Sequence, residues 1–215
     1  MQDKNIKYIV IEGNIGSGKS SLLRKLASIL PNVKTIAEDY DTPLLTKFYK
    51  NPENYAMLLE FTLLIRRYKQ IIEIITKTDD TKYILADYSI FKSLIFSKIN
   101  LDSEGFKVFY EFFQLLIQKL PLPHLVIYLD MPIKILQQRI QLRGREFEMN
   151  IADGYLEKIK EGYASFFYKN IQVSYLSLGL TDFDIINNPH YFQEIVEIIQ
   201  KYSIKKDIEK LELTI

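Results

Sequence analysis

Gly13-Asn14-Ile15-Gly16-Ser17-Gly18-Lys19-Ser20 stands between the apolar run Tyr8-Ile9-Val10-Ile11 and the helix-patterned Leu22-Leu23-Arg24-Lys25-Leu26. A strand, a glycine-rich turn and a helix in that succession make a phosphate cradle. The glycines let consecutive backbone N–H groups turn inward around an anion, and the helix that opens near Lys19 adds its positive end. Lys19 is then placed to reach β- and γ-phosphates, and Ser20 to hold Mg²⁺. Any strand-to-helix turn favours glycine, but that preference does not account for Gly18-Lys19-Ser20 at this spacing. All of Gly13, Asn14, Ile15, Gly16, Ser17, Gly18, Lys19 and Ser20 are therefore expected to bind the phosphates of a nucleotide.

Outward from the loop, short β-branched or aromatic runs alternate with longer helix-period segments, the pattern of a parallel sheet covered by helices. Strands are expected near residues 6–11, 33–37, 82–86, 124–129 and 172–178. Helices are expected near 18–30, 42–49, 53–77, 89–99, 103–120, 132–143, 150–170 and 189–202. The fold class is a helix-rich, three-layer α/β/α arrangement of the P-loop NTPase type on a five-stranded parallel sheet, with residues 1–215 as one domain. Pro31, Pro52, Pro121, Pro123, Pro132 and Pro189 fall at joins between elements, where a missing N–H does no harm. The tail from Ser203 to Ile215 mixes charged and apolar residues and is expected to pack as a last helix or to fray.

With 215 residues the chain can bury a substantial core, and 28 Lys+Arg against 27 Asp+Glu leave no field that would draw it to nucleic acid or anionic lipid. A small-molecule substrate is the better expectation. Cysteine is absent, which excludes disulfides, thiolate metal sites and a cysteine nucleophile. Met1-Gln2-Asp3-Lys4-Asn5-Ile6 lacks the apolar core of a signal segment, and no stretch approaches membrane-spanning length, so a cytoplasmic protein without membrane partners is expected.

In open α/β sheets the ligand gathers outside the carboxyl ends of the strands, so the residues that follow each strand carry the information. Glu38-Asp39 follow the second expected strand, Asp87 the third, Asp130 the fourth, and the loop Gly179 to Asp184 the fifth. Glu38 is placed to face the phosphate loop and to act as general base toward a hydroxyl, whereas Asp39 and Asp41 suit helix caps or the surface. Asp87 can orient the hydration shell of Mg²⁺ or cap the helix beginning at Ser89. Asp130 serves equally as a cap for the helix opening at Pro132. Arg139, Arg143 and Arg145 converge where Gly144 breaks a helix, next to Glu146 and Glu148, which suggests a lid at about 139–150 closing on ATP. His124 and His190 suit structural or surface roles. Phe106, Phe109, Tyr110, Phe112 and Phe113 form an aromatic band wide for one core face, so core packing competes with a homodimer interface.

The phosphate loop, the stretch Phe48-Tyr49-Lys50-Asn51-Pro52-Glu53, and Arg143-Gly144-Arg145 followed by Glu148 and Tyr155-Leu156-Glu157-Lys158 together resemble the deoxynucleoside kinases, closest to the bacterial deoxyadenosine and deoxyguanosine branch. The resemblance runs from about Lys7 to Phe167. It implies that Glu38 is the base for a 5′-hydroxyl and that Tyr49 and Glu148 hold the sugar 3′-hydroxyl. It further implies that Arg139, Arg143 and Arg145 are lid arginines on the donor, with Asp87 the acid of a [DE]-R-S motif. The motif arginine is Tyr88 here, so a cation near the 5′-hydroxyl is missing; Lys92, four residues on, can supply it or be a surface lysine. Alignment through Arg67-Tyr68-Lys69-Gln70 puts Glu60 where many relatives read the base with glutamine. An ionised carboxylate only accepts hydrogen bonds, which favours a purine. Of Arg66 and Arg67, one is expected to brace Glu60 and one to be a surface charge; Arg67 is grouped with the substrate-binding residues. The loop Thr181-Asp182-Phe183-Asp184 is expected to border the donor base, with Asp182 among the donor-binding residues.

The function implied is transfer of the γ-phosphoryl group of ATP, with Mg²⁺, to the 5′-hydroxyl of deoxyadenosine or deoxyguanosine in nucleotide salvage, with Glu38, Lys19, Arg143 and Arg145 in the chemistry. Two alternatives stand beside it. One is a nucleoside-monophosphate kinase similar to thymidylate kinase, which needs arginines around an acceptor phosphate. The other is a nucleotide-binding regulatory module without transfer activity, suggested by Tyr88.

Overall fold

β1 (Lys7–Gly13) carries the apolar run before the loop, and every residue from Tyr8 to Gly13 is buried. The protein is described by a computed structural model over residues 6–39, 41–77, 80–169, 173–180, 188–202 and 210–214. The other strands are β2 (Val33–Ile36), β3 (Tyr83–Ala86), β4 (Leu125–Asp130), β5 (Ser174–Gly179) and β6 (Lys210–Thr214). The helices are α1 (Lys19–Ala27), α2 (Thr42–Lys50), α3 (Pro52–Thr76), α4 (Phe91–Asn100), α5 (Ser103–Ile117), α6 (Ile133–Arg143), α7 (Asp153–Lys169) and α8 (Pro189–Lys201).

Side chains alternate across a strand, and β1 feeds a core on each side. Ile9 and Ile11 pack with Leu22 and Leu26 of α1, Leu136 and Ile140 of α6, and Ile195 and Ile199 of α8. Tyr8 and Val10 pack with Leu64 and Ile71 of α3, Ile95 of α4, Phe109 of α5, and Ile159 and Tyr163 of α7. Coating on both faces is why the run is continuous rather than alternating in polarity. The strands lie in the order β2-β3-β1-β4-β5-β6, and all pairings are parallel. Chain order reverses beside β1, the position at which open sheets of this kind bind ligands.

All five expected strands are present, and the sheet has a sixth. Where the sequence suggests a last helix or a frayed end, Lys210–Thr214 pairs with β5, Leu211 opposite Leu176. Its sequence Lys-Leu-Glu-Leu-Thr alternates with period two, and the free edge of β5 supplies the partner. Among the described residues no helix is long and apolar enough to cross a membrane.

Three helix ends set the rim of the cleft. Asp41 caps α2 by accepting from Leu44 N at 3.0 Å, and Asn51 caps α3 by accepting from Asn54 N at 3.3 Å, each ahead of a proline in the first turn. α2 lies on α3 through Phe48, Ala56, Leu59 and Leu63, a small apolar cluster of its own. α6 ends at Gly144, whose left-handed conformation (φ 67°) brings its N–H back to the carbonyls of Ile140 and Gln141. A single 3₁₀ turn, Glu146–Glu148, then returns the chain toward α2.

Candidate functional site

The turn between β1 and α1 is held by its own lysine. Lys19 Nζ donates to Gly13 O at 3.0 Å and to Asn14 O at 2.7 Å, arching over the loop. Gly16 stands at φ +82°, and a Cβ there would meet Leu136 O at 3.0 Å, so only glycine lets the loop sit against α6. The Asn14 side chain turns away from the cleft: its Nδ2 donates to Leu156 O at 2.7 Å and its Oδ1 accepts from Ile15 N at 2.8 Å, tying the loop to α7. Burial lowers the Lys19 ammonium to about 8, and nearby Lys92 adds to that against Glu38, Glu12 and Asp87.

Asp87, just past β3, joins two halves of the site. Its Oδ2 accepts from Ser20 Oγ at 2.5 Å and its Oδ1 accepts from Glu38 N at 2.7 Å. It therefore faces the phosphate loop. No side chain caps α4, which begins at Phe91 rather than Ser89; Ser89 is held by Glu12, whose Oε1 accepts from Ser89 N and Ser89 Oγ, each at 2.6 Å, while Oε2 accepts from Tyr163 OH at 2.7 Å. Glu12 is 1 % exposed and had no signal in the sequence, where it reads as one polar residue interrupting an apolar strand.

Glu38 lies between two cations. Oε1 accepts from Arg67 Nη2 at 2.5 Å and Nε at 3.2 Å, and Oε2 accepts from Lys92 Nζ at 2.5 Å. Burial opposes the charge of Glu38, but Lys92 and Arg67 outweigh it and hold the carboxyl well below the usual carboxylate range. Lys92 is buried beside Glu38 rather than on the surface. Tyr88 is fully buried, and its hydroxyl donates to Gln70 Oε1 at 2.6 Å.

The expectation that an arginine braces Glu60 is corrected. Arg67 reaches Glu38 and Ser93 instead, and Arg66 pairs with Asp41 at 2.9 Å. Seven positions separate Glu60 and Arg67 on α3, two turns, so the guanidinium extends to the next carboxylate along the cleft. The hydrogen-bond partner of Glu60 is Asn100 of α4, whose Nδ2 donates to Glu60 Oε1 at 2.7 Å while its Oδ1 accepts from Tyr155 OH at 3.0 Å. Asn100 was not among the expected site residues; as the last residue of α4 it reads from sequence as a helix terminus.

Glu148 is 6 % exposed and takes two arginines, Arg143 through Oε2 and Arg145 through Oε1 at 3.3 Å. Tyr49 stacks on Phe147, ring centroids 6.2 Å apart, and burial followed by the neighbouring Tyr155 and Glu148 pushes its phenol up. Arg139 Nη1 lies 3.4 Å from Ser17 O, against the phosphate loop. Asp130 pairs with Lys160 at 2.7 Å. Asp182 and its loop lie outside the described residues.

One cleft of about 490 Å³ is lined by Lys19 and Ser20 at one end, by Tyr49, Glu60, Tyr155 and Glu148 at the other, and by Glu38, Arg67, Asp87 and Lys92 between them. Arg139, Arg143 and Arg145 also line it. A phosphate loop on the central strand of a parallel sheet, with acidic strand exits opposite, defines a P-loop nucleotide-binding α/β protein. The family model described as deoxynucleoside kinase matches residues 9–204. The deoxyguanosine kinase of Bacillus subtilis is 35 % identical over 163 residues, 73 % of this chain and 76 % of its own. The deoxyadenosine kinase of Lactobacillus acidophilus is 30 % identical over 213 residues, 91 % and 96 % of the two chains. In fold the chain also matches a solved deoxyadenosine kinase from M. mycoides, TM-score 0.75 at 21 % identity, over 90 % of this chain and 99 % of that one. This chain belongs to the deoxynucleoside kinase family.

Proposed function

We propose that the protein transfers the γ-phosphoryl group of ATP to the 5′-hydroxyl of a purine deoxynucleoside, as a salvage step. The observation that carries this reading is Glu38, an ionised carboxylate in the middle of a cleft with the phosphate loop at one end and the pair Tyr49 and Glu148 at the other. The acceptor end supports a neutral sugar: the Tyr49 phenol and the Glu148 carboxylate offer a donor and an acceptor to one hydroxyl, and Arg143 and Arg145 are already paired with Glu148 rather than open to an acceptor phosphate. Lys92 beside Glu38 stands where Tyr88 left the family pattern short of a cation, which removes the motive for a regulatory module.

Glu38 orients the 5′-hydroxyl and receives its proton late, as suits a loose phosphoryl transition state in which the attacking oxygen has little bond to phosphorus. Two cations make it a weak base and keep it charged, so its first task is alignment. Lys19 and the arginines 139, 143 and 145 oppose the charge on the transferring oxygens. Ser20 Oγ and Asp87 Oδ2, hard oxygen donors facing the donor end, fit Mg²⁺, which needs few protein ligands when phosphates supply the rest. Bound there, Mg²⁺ would neutralise phosphate charge. Glu60 faces the base, and Arg67 holds Glu38 in place.

The same reading takes residues 1–215 as one domain with a lid at about 139–150, cytoplasmic, and paired as a homodimer through α3 and α5. The experiment is ATP-dependent ADP release with a panel of deoxynucleosides and deoxynucleoside monophosphates. Turnover with nucleosides is expected. Turnover confined to monophosphates, or none with either set, overturns the reading.

A further inference from the structure

We propose that Glu60 selects between the two purines by its charge state, the ionised carboxylate taking guanine and the protonated acid taking adenine. This rests on the deoxynucleoside kinase reading of the cleft and deepens it. Glu60 is 1 % exposed, yet it lines the cleft, and its Oε2 has no hydrogen-bond partner among the described residues. A buried carboxylate oxygen without a donor is the exception in folded proteins, and a ligand edge is the ordinary way to complete it. The other oxygen fixes the orientation of the group, because Oε1 accepts from Asn100, which in turn accepts from Tyr155.

Its surroundings leave either charge state open. The cations facing Glu60 are Arg67 from α3 itself and Lys92 from α4, and both are bonded to Glu38, the carboxylate facing it from beyond β2. Tyr49 from α2 and Tyr155 from α7 bring only hydroxyls. Burial therefore outweighs the Asn100 hydrogen bond and the two distant cations, and raises the Glu60 carboxyl to about 7. Near neutrality the side chain exists in both forms.

The two forms have different partners. Guanine ends in adjacent N1–H and N2–H donors, which the two acceptor oxygens of an ionised carboxylate meet together. Adenine sets an N6–H donor beside the N1 acceptor, whose lone pair faces a carboxylate oxygen unfavourably. A protonated acid, with one donor and one acceptor, meets that edge in full. Raising the pH moves the site from adenine toward guanine.

The test is kcat/KM for deoxyguanosine and for deoxyadenosine, with saturating ATP and Mg²⁺, from about pH 6 to 8.5 in the parent and in Glu60→Gln. Taking the ratio cancels the ionisations of ATP, Glu38 and Lys19, which both reactions share. The guanine-to-adenine ratio is expected to rise through neutrality by up to about tenfold per pH unit in the parent, and to be level with pH in Glu60→Gln. A level ratio in the parent overturns the proposal, as does a slope that survives in the variant. If the variant fails to fold, the parent ratio decides alone. Turnover of neither nucleoside overturns the kinase reading and this selection with it, a result distinct from a level ratio.

Discussion

Glu38 shows how much of its behaviour a residue takes from neighbours that sequence does not place beside it. Its position after β2 was legible, because an acidic residue at a strand exit opposite a phosphate loop has few other uses. The pairing with Arg67 was not, since Glu38 and Arg67 lie on separate elements and a helical arginine has several carboxylates within reach. Glu38→Gln keeps the shape of the side chain but removes the proton acceptor, so kcat is expected to fall by about 10²–10⁴ while ATP still binds. The same change leaves Arg67 and Lys92 without their counter-charge, so the melting temperature should fall as well. Lys92→Met tests the second cation. With Lys92 gone the Glu38 carboxyl titrates at higher pH; since the ionised form is the working one, the acid limb of the kcat/KM profile should move upward. A profile that keeps its acid limb would take Lys92 out of the mechanism.

At the scale of elements, the sequence disclosed periodicity well and endings less well. The short apolar runs set between helix-period segments, with the proline and glycine punctuation, located eight helices and five strands, and the phosphate loop fell where its strand and helix required. β6 escaped because five residues of alternating polarity carry little weight until an open strand edge is there to receive them. Glu12 escaped for a different reason: only the fold brings Ser89 and Tyr163 to it, one from the turn after β3 and one from α7. That carboxylate binds three elements together behind the phosphate loop. Tyr163→Phe removes one charge-assisted hydrogen bond from a fully buried position and should cost about 1.5–3 kcal/mol in a denaturant titration. ATP affinity is expected to weaken with it if the strand under the loop shifts, which isothermal titration would register.

At the scale of the whole molecule, the aromatic band of α5 is part core and part exposed. Phe109 and Phe113 are buried in the core, where Phe61 of α3 meets Phe109 edge-on at 5.1 Å, while Tyr110 is 43 % exposed. The exposed apolar surface continues through Leu58 and Ile65 on α3 and Val108 and Leu115 on α5, each pair seven residues apart and so on one helical face. If the protein pairs through that surface, Leu115→Glu should convert a dimer to a monomer in sedimentation equilibrium with its helix content unchanged. A parent that sediments as a monomer at micromolar concentration removes the dimer from the account. Glu148 holds both Arg143 and Arg145 with one carboxylate. On the proposed reading, an incoming anion that drew those guanidinium groups toward itself would strip that carboxylate of its counterions and leave it free for an alcohol beside Tyr49. News of one substrate's arrival would then pass to the other through a single exchange of partners.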